Sequence, residues 1–254
     1  MKALNISSLG SGGLITNYHC VSRCGHCLYA CGPRRTKDYI DPDTARANLE
    51  TVRRLGCPSV HIGGGEPLLR PEKLKPVLEE ARAAGVGIDY IETNSGWFNG
   101  HDRAVAILRE LRELGAGTLL VSMSPFHNEH IPFQKVQGVL HAAREAGVAT
   151  FPWTENLRPD IEAFDTARPH SLDEYRQAYG EDYVGRLPQR YWTVPGGRAL
   201  ATFAPYQAHR PAEAVAGGGG CRRLADTGHF HLDLYGNYIP SLCSNLAIRR
   251  EDLG

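Results

Sequence analysis

The sequence has no excess charge of either sign: 28 Lys and Arg balance 28 Asp and Glu across 254 residues. No global field therefore draws it toward nucleic acid or an anionic membrane, although a local basic patch stays open. Long apolar runs are missing too, and none reaches the length that spans a bilayer. The N-terminal stretch MKALNISSLGSGGL is too short, and too broken by Gly and Ser, to read as a signal peptide. An even cysteine count is also lacking. Seven cysteines, at 20, 24, 27, 31, 57, 221 and 243, do not suit a secreted disulfide framework, which favours shorter chains. A reduced, metal-binding set in a cytoplasmic protein is the better expectation. At 42% hydrophobic, the chain can bury one large core, with room for a small appendage.

A rhythm runs through the first two thirds. TVRRLG, EARAAG, LRELG and AREAG end at Gly56, Gly85, Gly115 and Gly147, about thirty residues apart. Each Gly closes a stretch with helical apolar spacing, such as Leu74, Val77, Leu78 and Ala81, and suits a helix C-cap. DPD at Asp41 and RPEKL at Pro71 read as helix starts, and Pro132 as the opening of another. Short apolar runs follow the glycines: SVHI, VGIDYIE, TLLVSM and VATFPW. Such runs suit strands buried on both faces. The alternation predicts a βα array with a parallel sheet, open or barrel-like. GGLITNY adds a first strand, and the region after residue 170 has room for a sixth unit.

In either geometry the active site lies at the C-terminal ends of the strands. CVSRCGHC, GGGEP, ETNSGW, SMSPFHNEH and PWTEN all fall there. Cys20, Cys24 and Cys27, spaced by three and two residues, can wrap one compact metal centre. Spacing alone leaves zinc open, with Cys31, His19 or His26 as fourth ligand, beside an iron–sulfur cube held by thiolates. Gly63–Gly65 let backbone groups approach a small ligand, and Glu66 is placed to accept from a cationic donor such as an amino group. A ligand-cradling strand end favours the cube over a structural zinc knuckle.

Cys20-x3-Cys24-x2-Cys27 after a first strand, with Gly64-Gly65-Glu66-Pro67 after a second, resembles the radical S-adenosylmethionine (radical SAM) superfamily over roughly residues 10 to 155. The resemblance implies an α/β fold, a partial (β/α)6 TIM-like barrel. It implies a [4Fe–4S] cluster on Cys20, Cys24 and Cys27, with S-adenosylmethionine chelating the fourth iron. Reductive cleavage would yield methionine and a 5′-deoxyadenosyl radical that takes hydrogen from a substrate, a peptide or small metabolite. An electron donor such as flavodoxin or ferredoxin is implied as partner. Cofactor contacts carried over are Gly64, Gly65 and Glu66, then Thr93 and Asn94, then Ser122 and Ser124. His26 stands where the family often has an aromatic residue beside the adenine, and imidazole can stack there.

His127 and His130 are the candidate catalytic acid–base residues, with a solvated loop as the alternative. Cys31 and Cys57 are expected to be plain structural cysteines. The expected division is a barrel domain over 1–215 and a short irregular extension over 216–254, hinged at Gly217–Gly220. HFHLDLY reads as a strand and YGN as a turn into a second one. Cys221 and Cys243 flank this unit, which resembles the opening half of SPASM or twitch extensions that hold auxiliary clusters. Two thiolates do not complete such a cluster, so ligands from elsewhere, a chain cut short at its C-terminus, or ordinary cysteines all stay open. His229 and His231 share one strand face and either line the pocket or edge the sheet. The competing class is a non-enzymatic zinc- or cluster-binding module.

Overall fold

A computed structural model describes residues 6–208, 210–217, 223–243 and 246–253. Five apolar runs form parallel strands: β1 (Ser11–Ile15), β2 (Ser59–Gly63), β3 (Gly87–Thr93), β4 (Thr118–Ser122) and β5 (Ala149–Trp153). They lie side by side in the order β5-β4-β3-β2-β1. The helices between them begin and end on the residues the sequence marks. Asp41 caps α1 (Pro42–Arg54), accepting from the Thr44 amide at 2.9 Å. Pro71 opens α2 (Pro71–Ala84), and Pro132 precedes α5 (Phe133–Ala146). Gly85 and Gly147 close α2 and α5 at φ of 67° and 69°, the left-handed cap that lacks a Cβ penalty. Between them lie α3 (His101–Glu113) and the one-turn α4 (Pro125–Asn128), which replaces part of the expected polar loop.

Alternation along the strands sorts two faces. Leu14, Val60, Ile62, Ile91, Leu119 and Val121 pack with Leu49, Leu74, Leu108 and Val136 of the helices in one core. Each such side chain contributes roughly 1.5–3 kcal/mol on burial. The opposite, inner face carries His61, Tyr90, Glu92 and Phe151, which meet one another.

A sixth parallel strand exists, and it sits beside β1. β6 (His229–Asp233) pairs with Ser11–Ile15, so the sheet continues β1-β6-β7-β8. β7 (Asn237–Pro240) returns antiparallel after a turn at Gly236, φ 76°, as the tail's alternation predicts, and the short β8 (Ile248–Arg249) follows. Thus part of the expected extension joins the main sheet. Among the described residues no helix is long and apolar enough to cross a membrane. Cys221 and most of the Gly217–Gly220 run lie outside the described residues.

Candidate active site

The Cys20–Cys27 loop leaves β1 and is held from three directions. From β2, the Gly65 amide donates to Asn17 O at 2.7 Å, and the Glu66 amide donates to His19 O at 3.0 Å. A Cβ on Gly65 would stand 2.0 Å from His19 O, and one on Gly64 2.6 Å from Asn17 O. The glycines therefore let two strand-end loops touch. From β3, Asn94 Nδ2 donates to Cys20 Sγ at 3.1 Å, and the Ser22 amide to the same sulfur at 3.4 Å. From the far end of the chain, Arg198 donates through Nε to Cys24 O at 2.9 Å and through a terminal nitrogen to Cys31 O at 2.6 Å.

Cys20 and Cys24 are buried and Cys27 is partly buried. Burial pushes the Cys20 thiol up to about 11 and Cys24 well above the ordinary thiol range. Cys27 is pulled down to about 6, chiefly by a hydrogen bond from Cys31. Mutual repulsion raises Cys24 further against Cys20 and Cys27, so the three sulfurs share one neighbourhood. Thiolates crowded into a dry site call for a cationic centre to hold them deprotonated. Cys31 is 2% exposed, with Sγ 3.7 Å from Gly64 O. Cys57 sits in the hydrophobic core, its thiol directed at Ser59 O at 3.1 Å.

Glu66, Thr93 and Asn94 form one clamp. Fully buried Glu66 accepts from the Leu68 amide at 3.1 Å, Thr93 Oγ1 at 3.0 Å and the Asn94 amide at 2.7 Å. Thr93 Oγ1 also accepts from the Ser95 amide and Trp97 Nε1, both at 3.0 Å. The clamp runs from Glu66 through Asn94 to the first cysteine. Burial outweighs these hydrogen bonds and raises the Glu66 carboxyl to about 7. A carboxyl with a raised folded pKa favours the fold while protonated. Its contribution is complete below about pH 4.5 and is lost as pH rises through about 7. The metal-free protein should lose about 3 kcal/mol from this group over that range. Glu66→Gln should remove this part of the slope, while a fixed penalty stays because an amide N–H would face the Asn94 N–H. Denaturant unfolding of both proteins at pH 5 and pH 8 checks it. Parallel slopes would show that Glu66 stays ionised throughout.

His26 packs among Phe126, His127 and Tyr191, with ring centroids 4.8, 4.9 and 5.0 Å away, and its Nε2 meets Tyr191 OH at 3.1 Å. Ser124 Oγ bonds His127 Nδ1 at 2.8 Å, and burial lowers His127 to about 4. Its neighbour His130 is lowered by burial as well. Ser122 ends β4, in register with Trp153. Sequence reasoning missed Asn17, Tyr191 and Arg198, all of which touch this site.

Among the described residues, six buried side-chain polar atoms lack a hydrogen-bond partner, and five lie beyond the C-terminal ends of the strands. They are Ser22 Oγ and His26 Nδ1 after β1, Ser95 Oγ after β3, His130 Nε2 after β4 and Thr154 Oγ1 after β5. Buried unpaired groups cost on the order of 1–3 kcal/mol each, so their concentration on one rim marks a place built for a polar ligand. Buried thiols with N–H donors at their sulfurs suit an iron–sulfur cluster, and the rim of unpaired groups suits S-adenosylmethionine.

These features define a metal- and ligand-binding α/β protein with its site at the sheet's C-terminal rim. The chain belongs to the radical SAM superfamily: its residues 14–154 match the profile described as "Radical SAM superfamily". This is a superfamily of enzymes, and its TIM-like partial barrel is the fold found here. No curated protein sequence matches. Among solved structures, anSMEcpe with bound AdoMet is 13% identical, with a TM-score of 0.52, covering 92% of this chain and 75% of that one. The same protein with AdoMet and the Kp18Cys peptide is 14% identical, with a TM-score of 0.51, covering 93% and 75%. HydG, a maturase of the [FeFe]-hydrogenase, is 14% identical with a TM-score of 0.42, covering 54% of this chain; the chain spans 32% of HydG's length.

Proposed function

We propose that this chain cleaves S-adenosylmethionine reductively and uses the product to abstract hydrogen from a peptide or small metabolite. Bound together, a [4Fe–4S] cluster and S-adenosylmethionine supply that chemistry: one electron splits the sulfonium into methionine and a 5′-deoxyadenosyl radical, which becomes 5′-deoxyadenosine on taking hydrogen. Cys20, Cys24 and Cys27 hold the cluster. Asn94 and the Ser22 amide donate to Cys20 and stabilise its charged form. His26, Ser95, His130 and Thr154 carry unpaired polar atoms on this rim that the cofactor would satisfy. Gly64, Gly65, Glu66, Thr93 and Asn94 act mostly by fixing loop positions. Ser122 and the Ser124–His127 pair complete the rim on β4, with His127 and His130 available to move a proton at their ring nitrogens. A ferredoxin or flavodoxin supplies the electron.

The observation that carries this reading is the convergence of three thiols and five unpaired buried polar atoms on one rim. A cavity of about 370 Å³, lined by Tyr18, Tyr29, Arg35, Asp233 and Cys243, lies beside Leu28–Ala30, directly after Cys27. A fold shared with a peptide-bound protein makes peptides the class to test first. Cys243, beside Tyr29, is the one described thiol of the tail available to an auxiliary cluster.

Anaerobically reconstituted protein should be brown, carry about four irons per chain, and release 5′-deoxyadenosine when dithionite and S-adenosylmethionine are added. A colourless protein holding zinc through its cysteines, with no 5′-deoxyadenosine by mass spectrometry, would refute the proposal and favour a metal-binding module.

A further inference from the structure

A second cluster of potential ligands lies on the inner face of the sheet, on strands instead of rim loops. Gly13 of β1 is in register with His61 of β2 on one side and His231 of β6 on the other. Because Gly13 has no side chain, the two imidazoles meet above it: His61 Nε2 and His231 Nε2 are 3.0 Å apart. A Cβ on Gly13 would stand 2.3 Å from His61 Nε2. His229, two residues before His231, stacks against His61 with centroids 5.5 Å apart. One ring nitrogen from each of the three lies within 4.8 Å of the others. Glu92 Oε1 faces the group, 3.8 Å from His61 Nε2.

We propose that His61, His229 and His231 bind one divalent transition-metal ion of the zinc type, with the Glu92 carboxylate beside it.

The hydrogen bonds behind the rings support this assignment. Ser11 Oγ has one proton and directs it to Gly228 O at 3.2 Å. His229 Nδ1 is equally 3.2 Å from Ser11 Oγ, and a metal on Nε2 requires the tautomer in which Nδ1–H donates to that oxygen. Tyr29 OH stands 2.9 Å from His231 Nδ1, placed to accept from Nδ1–H when a metal holds Nε2. Two bare ring nitrogens at 3.0 Å repel unless a proton or a cation lies between them. A cation also answers the carboxylate. Imidazole nitrogens with one carboxylate suit zinc, cobalt, nickel and ferrous ions, and do not suit calcium or magnesium. An entry path exists: His61 and His231 are buried, His229 is partly open, and the Glu92 side chain is 41% exposed. The rival reading is a hydrogen-bonded histidine network with no ion.

The test uses protein with its cluster reconstituted, dialysed anaerobically with zinc chloride and then passed through a desalting column. One zinc per chain should remain beside undiminished cluster iron, and zinc-edge X-ray absorption should show nitrogen and oxygen neighbours only. His231→Ala should weaken zinc retention more than a hundredfold. Ser11→Ala, at an exposed position that leaves folding intact, should weaken it roughly ten- to a hundredfold by freeing the His229 tautomer. Both variants should keep wild-type iron. No retained zinc, zinc held through sulfur, or retention that neither variant changes would each overturn the site. The zinc readout does not involve 5′-deoxyadenosine, so this inference and the proposed activity can fail separately.

Discussion

Replacing Cys24 with Ala should abolish 5′-deoxyadenosine formation. Cys24 is buried in the hydrophobic core beneath the loop, and its thiol sits where no water can replace a lost ligand. Mutating an outer partner of a metal ligand costs ten- to a hundredfold, so losing one of three direct ligands should cost more than about a hundredfold. The informative contrast is Cys31→Ala. Cys31 is as buried as Cys24 and hydrogen-bonds Cys27, so burial alone does not tell ligand from neighbour. If three thiolates hold the cluster, Cys31→Ala should keep cleavage within about tenfold of wild type, because it removes only a hydrogen bond to one ligand. Iron content and 5′-deoxyadenosine are measured for both. Equal iron loss in the two variants, together with no 5′-deoxyadenosine from the wild type, would mean a fourth thiolate closes the cluster, leaving no iron for S-adenosylmethionine.

Much of this architecture is legible in the sequence because short apolar runs between helix-ending glycines leave a local mark, even where β3 and β5 expose part of one face. SVHI lies within β2, and TLLVSM and VATFPW contain β4 and β5, each preceded by a glycine that ends a helix. The sixth strand was harder to place. HFHLDLY shows that a strand forms, but its alternation does not say which edge of the sheet it joins, and β6 pairs with β1 across more than two hundred residues of chain. Arg198 was invisible for the same reason: it lies 174 residues from Cys24, whose carbonyl it holds. His61 was hidden inside an apolar run. The available signal was a buried imidazole opposite a glycine strand, and it becomes meaningful only when β1 is known to lie between β2 and β6.

The Gly-Gly-Glu motif shows why residue type and residue role separate. Glycine announces a close approach, and the sequence alone does not identify what approaches. Here the neighbours are the backbone of Asn17 and His19, and Glu66 turns inward to Thr93 and Asn94. The motif works as a joint between strand ends, and the joint positions the first cysteine.

That joint sets the second large expectation. Gly65→Ala should lower stability by on the order of 3–5 kcal/mol and deplete the cluster. An alanine Cβ would stand 2.0 Å from His19 O, 2.5 Å from His19 C and 2.9 Å from Tyr18 C, all backbone atoms with no side-chain rotation to relieve them. The β2 loop must withdraw, and both the Gly65–Asn17 and Glu66–His19 backbone hydrogen bonds go with it. Since His19 adjoins Cys20, the displacement reaches the first ligand directly. Thermal unfolding should fall by on the order of 10 °C, with iron per chain falling in parallel. Gly117→Ala is the control, because a Cβ there meets nothing within 4 Å. If Gly65→Ala melts with the wild type and loads full iron, the two loops do not depend on this contact, and the clamp from Glu66 through Asn94 must hold the cysteine loop unaided.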